Sequence, residues 1–247
     1  MSLGPLTQGT EWRDGLSSAG TGSLKPKLDC ETHRRAFRER IATSRRLLDA
    51  AHGGSEGSGD VSRELRGLSI LLLFAAYEHL LTSLCRTLLE FVAKSRATAR
   101  RMKPGLRLFL AYEAFQSLAG SSKDKLWRRQ GPKVVQALTE SRARDINTSL
   151  FPHDGSFMKA SQVGLFCELF DLGDPGPILK EVWPQLNTIV DLRNGIAHGR
   201  LTPDEVGRNY THEEVLELIN LWESRWIDFI NWLEASCDDH STFTVGR

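Results

Sequence analysis

Wherever apolar residues recur along the 247-residue chain, they recur at helical spacing, and no stretch alternates as a strand would. Residues 61–95 carry the strongest run: Leu65, Leu73, Phe74, Leu80, Leu81, Leu84, Leu88, Phe91 and Val92, with no proline and only Gly67. Its first half is apolar nearly all round, which predicts a helix at the centre of a bundle. Residues 29–51 predict a first helix, with Asp29 as N-cap and a thin stripe of Phe37, Ile41, Leu47 and Leu48 among arginines. Residues 212–235 predict a last long helix. There Val215, Leu218, Ile219, Trp222, Trp226, Phe229, Ile230 and Leu233 share one stripe, and Thr211 with Glu214 forms a capping box. Further helices are expected at about 160–170 and at about 177–197, ending near Gly199. Shorter ones at 106–118 and 133–143 fall in a segment broken by Pro104, Gly105, Gly120, Gly131 and Pro132. The expected fold class is therefore all-α: an irregular bundle of long helices forming one domain over 28–240, with 96–159 as a basic helical insertion. Residues 1–27 predict a disordered or loosely ordered tail, His52–Asp60 a flexible loop and 146–160 another loop.

The chain is long enough, and at 40% apolar rich enough, to bury a core without staples. No uninterrupted apolar run reaches the roughly 18 residues of a membrane span. Four scattered cysteines form no CxxC pair, so buried or unremarkable thiols are expected, with no zinc or redox framework. These features predict a soluble, cytoplasmic protein that needs no cofactor or metal. The net charge of +1 hides an asymmetry. Residues 94–145 carry 13 Lys/Arg against 4 Asp/Glu, and residues 201–247 carry 3 against 10. Such a division marks either a face for a polyanion or two surfaces that meet within one fold. The histidines show no metal-ligand spacing, and no phosphate-binding glycine loop or nucleophile elbow is present.

The chemistry concentrates in Leu192-Arg-Asn-Gly-Ile-Ala-His-Gly-Arg200. On a helical wheel Leu192, Ile196, Ala197, Ile189 and Val190 define an apolar arc, and Arg193 falls inside it. A guanidinium cannot shed its charge, so a carboxylate, an interface or a ligand phosphate must compensate it. Glu78, where the apolar run of 61–95 ends, is the candidate carboxylate. On a regular helix His198 would lie about 140° from Arg193. The two converge only if the helix ends or distorts near Gly195 or Gly199, or if a symmetric partner chain contributes.

The segment Arg193-Asn-Gly-Ile-Ala-His-Gly199 resembles the R-x(4–6)-H motif of HEPN domains (higher eukaryotes and prokaryotes nucleotide-binding). Its Arg-Asn-x-Ile-Ala-His-Gly form, with Tyr77-Glu78 as the aromatic–Glu pair of an earlier helix, is most similar to the prokaryotic RiboL-PSP-HEPN-like branch. The resemblance covers the first two helices and about 160–235, and leaves 96–159 unexplained. It implies a helical domain that forms a homodimer and cleaves RNA without a metal, leaving 2′,3′-cyclic phosphate ends, often in toxin–antitoxin or antiviral defence. Carried over, the catalytic candidates are Arg193, His198, Asn194 and Glu78. Histidine can move protons near neutrality and arginine can hold phosphate oxygens, which suits metal-free transesterification. Arg100, Arg101, Lys103, Arg128 and Arg129, grouped around Trp127, and Arg200 are the candidate RNA contacts. The rival reading is a non-catalytic HEPN-like module that binds RNA, a nucleotide or a protein partner. A third makes activity depend on an antitoxin or sensor partner protein.

Overall fold

The computed structural model describes residues 27–52, 59–237 and 240–245. Its helices are α1 (Glu31–His52), α2 (Gly59–Ala93), α3 (Pro104–Gln116), α4 (Lys123–Lys125), α5 (Gly131–Thr139), α6 (Ala160–Phe170), α7 (Gly176–Leu179), α8 (Trp183–Ala197), α9 (Pro203–Gly207) and α10 (His212–Ser236). Short 3-10 turns occur at Ala99–Arg101, Ala143–Asp145 and His240–Phe243, and a π-helical turn at Leu126–Gln130. Among the described residues there is no strand, and the expected all-α bundle stands. The expected tail over 1–27, apart from Lys27, and the loop residues 53–58 lie outside the described residues.

α2 is the axis because most of its circumference is apolar. Ile70, Leu73, Tyr77, Leu81, Leu84 and Leu88 are all buried, as are Trp222, Trp226 and Phe229 of α10. Tyr77 stacks at 4.7 Å on Trp226 and meets Trp222 edge-on at 6.2 Å. Each such side chain contributes about 2–3 kcal/mol by leaving water. α2 is long and apolar enough to cross a membrane by length and composition, yet 56% of that window is buried within the bundle. α1 packs along α2, starting where Asp29 Oδ1 accepts the Glu31 N–H at 2.9 Å. α10 starts at the predicted capping box, with Glu214 N–H donating to Thr211 Oγ1 and Thr211 N–H donating to Glu214 Oε2.

Two departures from expectation have local causes. The helix expected over about 177–197 divides into α7 and α8, because Pro184 sits in the first turn of α8 and offers no N–H to a preceding turn. α9 was not expected; Thr202 caps it, with Pro203 at its first position and Glu205 closing a second capping box. The basic segment is divided too. Met102, Leu106, Phe109, Ala143, Ile146 and Met158 join the common core. No residue of α4, the π turn or α5 is buried.

Two carboxylates of the acidic helix α10 pair with arginines of α1. Arg34 Nη1 meets Glu234 Oε2 at 2.7 Å, and Arg45 Nη2 meets Glu223 Oε2 at 2.6 Å. The basic segment reaches the C-terminal residues through backbone bonds, Lys103 N–H to Phe243 O and Val245 N–H to Arg101 O.

Candidate functional site

The end of α8 shapes the site. Gly199 adopts φ +66°, and its N–H donates to Ile196 O at 2.9 Å while the Arg200 N–H donates to Gly195 O at 2.8 Å. This pair of bonds is a Schellman termination, and it needs a left-handed residue where glycine stands. His198 is the cap, at φ −96° and ψ 10°, so helical-wheel angles no longer describe it. Leu201 folds back against Gly195, where a β-carbon would lie 2.7 Å from Leu201 Cδ1. The chain then enters α9, which is clamped to α2: Arg63 Nε meets Asp204 Oδ1 at 2.7 Å, and Arg66 Nε donates to Gly207 O at 3.2 Å. The Arg63 guanidinium holds the Asp204 carboxyl below the usual carboxylate range.

Arg193 is half-buried one turn before this cap. Its guanidinium carbon lies 5.1 Å from the centroid of the Phe74 ring, and its Nη1 donates to Asn194 Oδ1 at 3.1 Å. It faces a groove of about 430 Å³ lined by Phe74, Ala75 and Glu78 of α2, three leucines of α2 and Leu47 of α1. Among the described residues neither Arg193 nor Glu78 forms an ion pair, although both line this groove. The aromatic face and the Asn194 amide thus attend a charge that no carboxylate neutralises. That leaves the guanidinium's donors available to an anion in the groove.

The structure brings Arg193 and Glu78 to one groove, with Asn194 bonded to Arg193 but not lining it. His198 and Arg200 are exposed at the cap, and His198 does not line the groove of its own chain. The other candidate cations stand apart from it. Arg100, Arg101 and Arg129 are exposed; Lys103 is paired with Asp171, and Arg128 with Asp124 at 2.7 Å. Arg107, by contrast, is structural, donating to the Met102 and Arg100 carbonyls. Sequence reasoning missed Phe74 as the platform for Arg193. Its signal was the spacing Phe74-x3-Glu78, which stacks the two one turn apart on α2. A second groove, about 490 Å³ between α8 and α10, shares no lining residue with this one.

All four cysteines are buried free thiols, and burial pushes Cys85 and Cys167 up to about 12, far from nucleophilic. No curated protein and no solved structure matches the chain. A family model does: that of RiboL-PSP-HEPN, over residues 35–230, a range that holds Glu78, Arg193 and His198. With most of its length matched, the chain belongs to the RiboL-PSP-HEPN family.

Proposed function

We propose that the chain is a metal-independent endoribonuclease acting as a homodimer, in the cytoplasm of a microbe and in a defence or toxin–antitoxin setting. The observation that carries this reading is the un-neutralised Arg193 guanidinium, half-buried in an open groove one turn from an exposed, cap-held histidine. Such an arginine is costly to keep there for packing alone, and a phosphate repays the cost through bidentate hydrogen bonds. Family membership supports RNA as the phosphodiester.

In the proposed reaction the 2′-oxygen forms a bond to the adjacent phosphorus and the bond to the 5′-oxygen breaks. The 2′-OH proton passes to His198 of one chain, and the partner subunit's His198 delivers a proton to the leaving 5′-oxygen. The products are a 2′,3′-cyclic phosphate and a free 5′-OH. Arg193 holds the non-bridging oxygens as charge builds, Asn194 orients Arg193, and Glu78 bounds the groove as an acidic helper. Arg100, Arg101, Lys103, Arg128, Arg129 and Arg200 are the proposed contacts to flanking RNA.

One observation favours the rival reading of a non-catalytic binding module: within one chain His198 does not line the Arg193 groove. The dimer resolves this in the first reading, because a two-fold partner can bring its His198 to that groove. The deciding experiment incubates wild type, Arg193→Ala and His198→Ala with a mixed RNA pool in EDTA. The expected result is cyclic-phosphate ends from wild type and a loss of about 100-fold or more in each folded variant. Equal cutting by all three would overturn the catalytic assignment, and cutting by none would favour the module.

A further inference from the structure

Trp127 is the most exposed large apolar side chain among the described residues, at 78%. Tryptophan ordinarily buries most of its surface, so a core role does not explain this position. The local sequence accounts for its display. Pro132 has no N–H to give the Arg128 carbonyl, and the Gly131 N–H bonds instead to Leu126 O, five residues back. The result is the π turn Leu126–Gln130, a distortion that recurs at functional sites. In the same short segment Lys123, Lys125, Arg129 and Lys133 are all exposed and, among the described residues, in no ion pair. Lys123 lies one helical turn before Trp127, on the same side. Arg128 is the neutralised member, through Asp124.

A lone indole among free cations does not suit a protein partner, since interface cores are depleted in lysine. It suits a polyanion that offers an aromatic face. We infer that the Ser122–Gln136 segment binds single-stranded RNA, Trp127 stacking on an unpaired base while Lys123, Lys125, Arg129 and Lys133 hold the neighbouring phosphates. This rests on RNA being the substrate and adds its single-stranded form and a grip apart from the Arg193 groove. A duplex keeps its bases stacked and closes its deep groove to side chains, so the indole has no face to take there.

The test is anisotropy with a labelled 2′-O-methyl RNA 12-mer, single-stranded or duplex, which cannot be cut through its 2′ position. Binding is thereby read independently of cleavage. Wild type is expected to bind the single strand at least tenfold more tightly than the duplex. Trp127→Ala should weaken single-strand binding about tenfold, and Trp127→Phe should retain most of it. Lys123→Ala and Arg129→Ala should each reduce the salt slope by about 0.7. Single-strand binding within twofold of wild type in Trp127→Ala, or equal affinity for the duplex, would overturn the proposal. So would a Trp127→Ala variant that changes the oligomeric state, because the indole would then be a protein contact. Loss of cleavage in Arg193→Ala with this binding intact separates the two sites.

Discussion

His33 illustrates how a single side chain ties two helices and sets a pH limit. Its ring bridges α1 to α2, Nδ1 at 3.2 Å from Ser83 Oγ and Nε2 at 2.9 Å from Thr87 Oγ1. Ser83 donates its hydroxyl proton to Leu80 O, so it accepts from Nδ1–H, and the neutral ring then accepts from Thr87 at Nε2. Burial and then the neighbouring His79 lower the His33 pKa below its ordinary 6.5, against a smaller opposing pull from Asp29. Burial and Arg40 lower that of His79 as well. The unfolded chain therefore takes up protons first as pH falls. The stability these rings contribute is complete above about pH 6.5 and is lost as pH drops toward their folded values. Glu234, lowered chiefly by its bond from Arg34, follows the same sign but only below its ordinary 4.5. Between about pH 7.5 and about pH 5 the melting temperature should fall, and His33→Gln should flatten that fall. Parallel slopes in the two proteins would place the proton uptake elsewhere.

At the scale of elements, the α2–α9 crossing decides where the cap of α8 sits. A β-carbon on Gly67 would lie 2.0 Å from Pro203 O, and one on Gly207 would lie 1.9 Å from Arg63 O. Neither backbone can yield as a flexible side chain could. Gly67→Ala should cost at least about 2 kcal/mol in chemical denaturation and disturb the Thr202–Leu201 entry behind His198. Gly164→Ala on α6, with open space around its position, should instead be neutral or stabilise by up to about 1 kcal/mol. Equal small effects in both would mean that α9 is not clamped. The long helices were legible in the sequence because their signals are local: a continuous apolar stripe for α2 and Thr211–Glu214 for α10. α9 carries the same capping signal in Thr202-Pro-Asp-Glu205, but five residues are too few to show periodicity. The motif's position at a helix end was legible from Gly195 and Gly199. What attends Arg193 was not, because Phe74 reaches it through tertiary packing and Glu78, though near, does not pair with it.

At the scale of the molecule, exposed charge and exposed apolar surface concentrate in two separate regions. Glu234 and Glu223 of α10 pair with Arg34 and Arg45 of α1, while Lys123 and Lys125 of α4 and Lys133 of α5 are exposed, where the proposed RNA would meet them. In the other region, α2 exposes Leu68 at 39% and Ala75, beside half-buried Leu71, Leu72 and Leu47, and this stripe borders Arg193 and Glu78. Leucines beside a half-buried cation form a poor water-facing surface for one chain. Two copies related by a two-fold axis would cover the stripe twice and place two Arg193 and two His198 about one cleft. Leu68 is the place to test this, because its exposure lets a charge enter without breaking the core. Leu68→Glu should leave the melting temperature close to wild type, since an exposed substitution costs within about 0.5 kcal/mol. In a dimer it buries two carboxylates against apolar surface, so at micromolar concentration sedimentation should shift from dimer to monomer. Cleavage should fall with it by about 100-fold, because each chain then lacks the second histidine. A Leu68→Glu protein that remains dimeric and active would place the interface on another face. A monomer that still cuts would show that one chain holds both the acid and the base.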